Sequence, residues 1–157
     1  YTAKGRSASK AIPVLVSSPA QLDGLVLGLP DQALRLMEQW WPGALTLVLP
    51  KNPDLPPDLT PYPGLAVRMP NHPVALSLID QAGPLAVTSA NLSDQENPRD
   101  AQGVLAQLEG LVDLVLDGGE LTGGQASTII DCLGMEPKLL REGPIPFSEI
   151  LERWIAK

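Results

Sequence analysis

The first candidate for chemistry is a cationic segment near the start of the chain, where Lys4, Arg6 and Lys10 lie close together. They form the densest positive cluster in a protein with only 11 lysines and arginines. Cations grouped with hydroxyl side chains can bind a polyanion such as a nucleotide triphosphate. The alternative is a solvated surface loop, which is the usual environment of such charges.

A second candidate is the polar end of the stretch 84–93. Its apolar run at 85–87 follows a Gly-Pro pair and predicts a buried strand. Side chains that can donate and accept hydrogen bonds without carrying charge come next: Thr88, Ser89, Asn91 and Ser93. Open α/β sheets present ligand sites at such strand ends, whereas a polar turn is the alternative.

Arg68 is the third candidate, because it lies inside the apolar run 65–70. A half-buried guanidinium needs an anionic partner. That partner is either a carboxylate of the protein or a ligand, and both explanations remain open. Ser127 and Arg141 lie at the ends of later predicted strands, so cations and hydroxyls recur at strand ends.

Composition excludes several classes of function. The single histidine, His72, argues against a histidine metal site or a Ser-His-Asp triad. The single Cys132 cannot form an internal disulfide, which suits the reducing cytoplasm. No apolar run is long enough to span a membrane. The net charge of −7 argues against broad nucleic-acid binding.

The elements that must position these residues follow from apolar runs between proline and glycine signals. Strands are predicted at 14–17, 44–49, 65–69, 85–87, 112–116, 126–131 and 137–141. Helices are predicted at 19–27, 31–41, 71–82, 101–108 and from 148 onward, and a glycine-rich loop at 121–125. Strands and helices mostly alternate, but the last three strands follow one another directly. This order predicts a single α/β (α+β) domain with a mixed sheet.

The chain resembles the YrdC-like family, the L-threonylcarbamoyladenylate synthases. Seven motifs carry the resemblance in the family's order: K-x-R at 4–6, WPGALTLVL at 41–49, VRMPNHP at 67–73, LAVTSANLS at 85–93, DGG at 117–119, STIID at 127–131 and LREG at 140–143. The resemblance implies a twisted mixed parallel and antiparallel sheet with flanking helices over 1–157. The family's amino-terminal Pro-Thr-Asp/Glu-Thr-x-Tyr-Gly-Leu motif is not in the sequence. Ser7 and Leu15 also depart from the family's usual Pro and His.

The activity implied by the resemblance joins L-threonine, bicarbonate and ATP, with Mg2+, into threonylcarbamoyl-AMP and pyrophosphate. The product would serve threonylcarbamoyladenosine formation in tRNA, with tRNA and tRNA-modification proteins as expected partners. The implied ATP residues are Lys4, Arg6, Lys10, Asn91, Arg99 and Arg141. The implied threonine residues are Arg68, Ser89 and Ser127. No protein ligand for a metal and no general base is assigned.

Two other functions remain open at this point. One is a non-catalytic YrdC-like module that binds a nucleotide or RNA. The other is a YrdC-like portion of a larger carbamoyl-transfer enzyme.

Overall fold

The computed structural model describes residues 1–121 and 124–156. Its contacts divide the chain into two compact units. Unit 1 comprises Tyr1–Lys10 and Thr88–Gly124, and unit 2 comprises Ala11–Val87 and Gln125–Lys157. The glycine-rich loop predicted at 121–125 includes positions 122 and 123, which lie outside the described residues.

Unit 2 is built on a six-stranded sheet. Its strands are β1 (Val14–Leu15), β2 (Leu45–Pro50), β3 (Gly64–Arg68), β4 (Leu85–Ala86), β5 (Thr128–Asp131) and β6 (Lys138–Arg141). They are ordered β4-β1-β3-β2-β5-β6. The pairs β1–β3 and β2–β5 are parallel, and the other three neighbouring pairs are antiparallel. The mixed sheet predicted from the sequence is therefore confirmed.

Apolar spacing explains how helices cover this sheet. The helix α1 (Asp31–Trp40) buries Ala33, Leu36 and Met37, which recur at three- and four-residue intervals on one face. The helix α4 (Phe147–Ile155) buries Ile150 and Trp154 in the same way. These side chains join a core whose centre is the fully buried Leu45, Leu47 and Leu49 of β2. The third helix of unit 2, α2 (Pro73–Ala82), buries Ile79.

Strand directions decide which residues gather at one end of the sheet. β2 runs antiparallel to β3 and parallel to β5, and β5 runs antiparallel to β6. The ends of β3 and β6 therefore lie at the same end of the sheet as the beginnings of β2 and β5. This arrangement brings Arg68, Thr46, Ser127 and Arg141 to one end of unit 2.

Unit 1 contains the fourth helix, α3 (Ala101–Leu108). The Asp100 carboxylate accepts a hydrogen bond from the Gly103 N–H at 2.7 Å, which caps the first turn. Gln107 on this helix accepts from the Leu92 N–H at 3.0 Å and donates to the Glu96 carbonyl at 3.0 Å. The helix thereby holds in place the loop that follows the T-S-A-N segment at 88–91. No helix within the described residues is long and apolar enough to cross a membrane.

Three predicted elements differ from the structure. The stretch 85–87 gives only the two-residue edge strand β4, which pairs with β1 alone and leaves Ala86 exposed, so the prediction of a buried strand is wrong. The stretch 112–116 forms no strand, because the described part of unit 1 offers no strand to pair with it. The helix predicted at 19–27 is a single 3-10 turn, Pro19–Leu22, and Gly24 and Gly28 beyond it have positive φ.

Candidate functional site

The cationic segment of unit 1 is anchored through Lys4. Its ammonium donates to the Ser89 carbonyl, to Ser89 Oγ at 3.4 Å and to Asn91 Oδ1 at 3.2 Å. Three acceptors match the three N–H donors of a lysine. Desolvation lowers the pKa of Lys4, and the positive charge of Arg6 lowers it further. Lys4 therefore fastens the K-x-R segment to the T-S-A-N segment.

Asn91 is buried, with 6% of its surface exposed, and uses both ends of its amide. Its oxygen accepts from Lys4, and its Nδ2 donates to the Gln95 carbonyl at 2.7 Å. Nearby, the Ser93 N–H donates to the Lys4 carbonyl at 2.9 Å. The Ser93 hydroxyl is buried without a hydrogen-bond partner among the described residues. Ser93 belongs to the polar stretch that the sequence singled out, although the family resemblance assigned it no ligand.

Two other cations of unit 1, Lys10 and Arg99, are more accessible than Lys4. Lys10 forms an ion pair with Asp94 at 3.2 Å, in which both side chains are largely solvated. Arg99 is exposed, and its carbonyl accepts from the Leu121 N–H at 2.7 Å. Arg6 is half-buried. Unit 1 thus holds five of the six predicted ATP residues and one predicted threonine residue, Ser89.

Arg68 ends strand β3 in unit 2 and is half-buried. Its Nε donates to the Gly43 carbonyl at 2.8 Å, and the Gly43 N–H donates to the Met69 carbonyl at 2.9 Å. Burial lowers the pKa of Arg68, and the positive charge of Arg141 lowers it further. Within the described ranges, Arg68 forms no salt bridge with a carboxylate. Two guanidinium groups are therefore held near each other without an anion from the described chain.

Arg141 ends strand β6 and is fixed on Ser127. Its Nε donates to the Ser127 carbonyl at 2.9 Å, and its Nη2 donates to Ser127 Oγ at 3.1 Å. Ser127 Oγ also lies 2.8 Å from Thr46 Oγ1 at the start of β2. The structure thus brings together three predicted residues, Arg68, Ser127 and Arg141, and adds Thr46.

The loop that follows Arg141 is held against the start of β5 by Thr128, the residue after Ser127. Its hydroxyl donates to the Ile145 carbonyl at 2.8 Å and accepts from the N–H groups of Gly143 and Ile145 at 3.0 and 3.1 Å. Gly143 passes so close to the Ala126 carbonyl that an added Cβ would lie 2.3 Å from its oxygen. The L-R-E-G motif needs glycine there because the backbone approaches β5 directly.

These two clusters can do different chemistry. The unit 2 cluster offers two guanidinium groups and a buried hydroxyl, which suit a carboxylate or another oxyanion. The unit 1 cluster offers lysine and arginine side chains on loops, which suit phosphate oxygens. No three His, Cys, Asp or Glu side chains are grouped to hold a metal ion in the described part of the chain.

Comparison with known proteins agrees with the motifs. The model of the Sua5_yciO_yrdC family, described as "Telomere recombination", matches residues 1–143. The chain belongs to the Sua5/YciO/YrdC family. The resemblance drawn from the seven motifs is therefore confirmed.

Curated members of the family carry the name threonylcarbamoyl-AMP synthase. A putative threonylcarbamoyl-AMP synthase of Mycobacterium tuberculosis is 42% identical over 152 residues, which is 96% of this chain and 70% of the relative. The threonylcarbamoyl-AMP synthase of Bacillus subtilis is 42% identical over 153 residues, which is 96% of this chain and 44% of the relative. The chain thus spans less than half of the length of some relatives and about two thirds of the length of others.

A solved structure of the family has the same fold. The crystal structure of Pyrococcus abyssi Sua5 complexed with L-threonine superposes with a TM-score of 0.91 at 40% identity. The match covers 98% of this chain and 46% of that chain. This agreement supports the mixed α/β sheet and its strand order.

Proposed function

We propose that this chain catalyses the formation of threonylcarbamoyl-AMP and pyrophosphate from L-threonine, bicarbonate and ATP, as a nucleotidyltransferase. The observation that carries the proposal is that Arg68 lies within electrostatic reach of Arg141, which bonds the Ser127 hydroxyl, and that neither guanidinium forms a salt bridge with a carboxylate of the described residues. Arg68 is half-buried and Arg141 is exposed, and the planar fork of a guanidinium matches either a carboxylate or a phosphate. The proposal agrees with the names of the curated relatives.

The proposed reaction has two steps. The threonine amine forms an N–C bond to bicarbonate with loss of water, which gives a carbamate. A carbamate oxygen then bonds to the α-phosphorus of ATP, the bond from that phosphorus to the bridging oxygen breaks, and pyrophosphate leaves. Because both reactants are anionic, positioning and cations supply most of the catalysis.

The residues of unit 1 proposed for ATP are Lys4, Arg6, Lys10, Asn91 and Arg99, and Ser89 of the same unit is proposed for threonine. The residues of unit 2 proposed for threonine are Arg68 and Ser127, and Arg141 of that unit is proposed for ATP. Mg2+ is proposed to arrive on the phosphate oxygens of ATP, since Mg2+ sites commonly combine substrate phosphates with few protein ligands.

The proposed product is reactive and suits transfer of its threonylcarbamoyl group to adenosine in tRNA. We therefore propose tRNA and tRNA-modification proteins as partners, and the cytoplasm as the location.

The decisive experiment measures pyrophosphate release from the 157-residue chain and from a longer chain that carries the family's amino-terminal motif. We expect release that needs both threonine and bicarbonate, and faster turnover from the longer chain, since the motif forms a wall of the threonine site in the family. ATP binding by both chains without threonine-dependent release would contradict the synthase and favour a nucleotide-binding module. Calorimetry with ATP provides that comparison.

A further inference from the structure

Two buried hydroxyls face each other at the end of the sheet in unit 2. Thr46 Oγ1 and Ser127 Oγ are 2.8 Å apart, and the two residues are only 4% and 5% exposed. Ser127 Oγ has a second partner, Nη2 of Arg141. Thr46 Oγ1 has no other partner among residues 1–121 and 124–156.

A count of hydrogens shows that this pair is incomplete by itself. Each hydroxyl carries one hydrogen and two lone pairs. One hydrogen lies between the two oxygens, so the other hydrogen has no acceptor within the described residues, whichever oxygen is the donor. A buried donor without an acceptor is unfavourable. The pair therefore lacks an acceptor, and not a donor.

Arg141 decides where that acceptor can be placed. It occupies one lone pair of Ser127 Oγ. If Thr46 donates to the other lone pair, the Ser127 hydrogen is free to point to a ligand. In this arrangement both hydroxyl hydrogens have an acceptor as soon as a ligand oxygen accepts from Ser127.

We infer that Thr46 is a positioning residue that donates to Ser127 and thereby makes the Ser127 hydroxyl a donor to the carboxylate of the amino-acid substrate. The inference rests on the proposed function, since threonine is taken as the ligand. With both lone pairs of Ser127 occupied, the site offers only donors to the ligand. It accordingly favours a carboxylate over a carboxamide, whose NH2 group needs an acceptor.

The neighbouring Thr128 shows that this incompleteness is not common to all buried hydroxyls of the region. Its hydroxyl donates once and accepts twice within the protein, so no hydrogen is left for a ligand. Thr128 is saturated and structural, whereas the Thr46–Ser127 pair is not. This difference between Ser127 and the adjacent first residue of β5 favours a ligand at Ser127.

The test is calorimetric binding of L-threonine and L-threoninamide to the full chain. Thr46→Val keeps the shape and removes the donor, and we expect it to weaken L-threonine binding about five- to tenfold. The preference for threonine over threoninamide should fall as well, because Ser127 regains a free lone pair. Thr46→Ser should restore both properties. Thr60→Val is the matched control, since Thr60 is equally buried but its hydroxyl bonds Gly64 and Tyr62 at the opposite end of β3.

A double-variant cycle separates positioning from packing and uses Thr46→Ala if the valine variant does not fold. If Thr46 acts through Ser127, adding the Thr46 substitution to Ser127→Ala costs no further threonine affinity. An additive loss, or an unchanged preference in Thr46→Val, would overturn the inference while leaving the proposed function intact. Failure of the unsubstituted chain to bind L-threonine at all would instead overturn the proposed function, and the inference with it.

Discussion

The polar clusters of unit 1 and unit 2 contain similar residue types, but their cations have different hydrogen-bond and ion-pair partners. In unit 1, Lys4 gives all three donors to protein acceptors, and Lys10 has a carboxylate partner in Asp94. In unit 2, Arg68 and Arg141 have carbonyl and hydroxyl partners but no described carboxylate. Cations bonded to acceptors of the protein therefore differ from cations that have no carboxylate partner in the described residues. Under the proposed function, this contrast makes unit 2 the more preorganised of the two for its proposed ligand.

Among these substitutions, removing a cation from unit 2 should have the largest effect on ligand affinity. Arg68→Ala removes the guanidinium that is proposed to bind the threonine carboxylate, and we expect the free energy of L-threonine binding to weaken by roughly 2–5 kcal/mol. Arg68→Lys should recover little, because an ammonium cannot reproduce the planar fork or the Nε contact to Gly43. Calorimetry measures both. The control is Lys138→Ala, which removes an exposed cation from the same sheet. If Arg68→Ala bound threonine as tightly as the unsubstituted chain, the contrast drawn between the two units would be wrong.

Removing the anchor of unit 1 should loosen that unit. Lys4→Met loses three donor contacts, which we expect to lower local stability by about 1–3 kcal/mol. Because the Ser93 N–H bonds the Lys4 carbonyl, hydrogen exchange at the Ser93 amide should accelerate. ATP affinity should fall in the same variant.

The control for Lys4 is Lys51→Met in unit 2, where the ammonium donates to the Thr60 carbonyl at 3.1 Å. Its effect on Ser93 exchange should be small. Unchanged exchange in Lys4→Met would show that the backbone contacts alone hold the segment.

Alkaline pH should destabilise the core of unit 2 through Cys132. Burial, and next the charge of Asp131, raises the pKa of this thiol from its ordinary 9.0 to about 12. A raised folded-state pKa contributes stability that is fully present below pH 9 and is lost as pH rises toward 12. The slope is about 1.4 kcal/mol per pH unit. Urea unfolding at several alkaline pH values should show a shallower decline for Cys132→Ala, and parallel declines would contradict the burial effect.

The strands of unit 2 were largely predictable because their signals are local. Apolar runs between proline and glycine mark β2, β3, β5 and β6, and the structure has a strand within a residue or two of each predicted range. The runs at 85–87 and 112–116 carry similar signals. A buried strand also needs a hydrogen-bonding neighbour on each side. A run of apolar residues does not encode its neighbours, so these two runs do not form buried strands.

The cluster of unit 2 was predictable only in part, for the same reason. Arg68 was recognisable because a charge inside an apolar strand contradicts its surroundings. Thr46 was not, since a threonine in a β-strand is ordinary. Its partner Ser127 lies 81 positions away in sequence, and only the register of β2 against β5 brings the two hydroxyls together.

The smallest effect on stability and ATP affinity is expected for an exposed ion pair of unit 1. The Lys10–Asp94 ion pair is exposed, with 47% and 84% of the two side chains accessible, so it is worth well under about 1 kcal/mol. Asp94→Asn removes the competing carboxylate, and asparagine tolerates the positive φ of 66° at this position. We expect unchanged stability and ATP affinity that rises by up to about fivefold, because Lys10 is released to phosphate. Lys10→Ala should lower ATP affinity instead. If Asp94→Asn and Lys10→Ala both weaken ATP binding, the ion pair orders the loop, and Lys10 acts on ATP through the loop and not by direct contact.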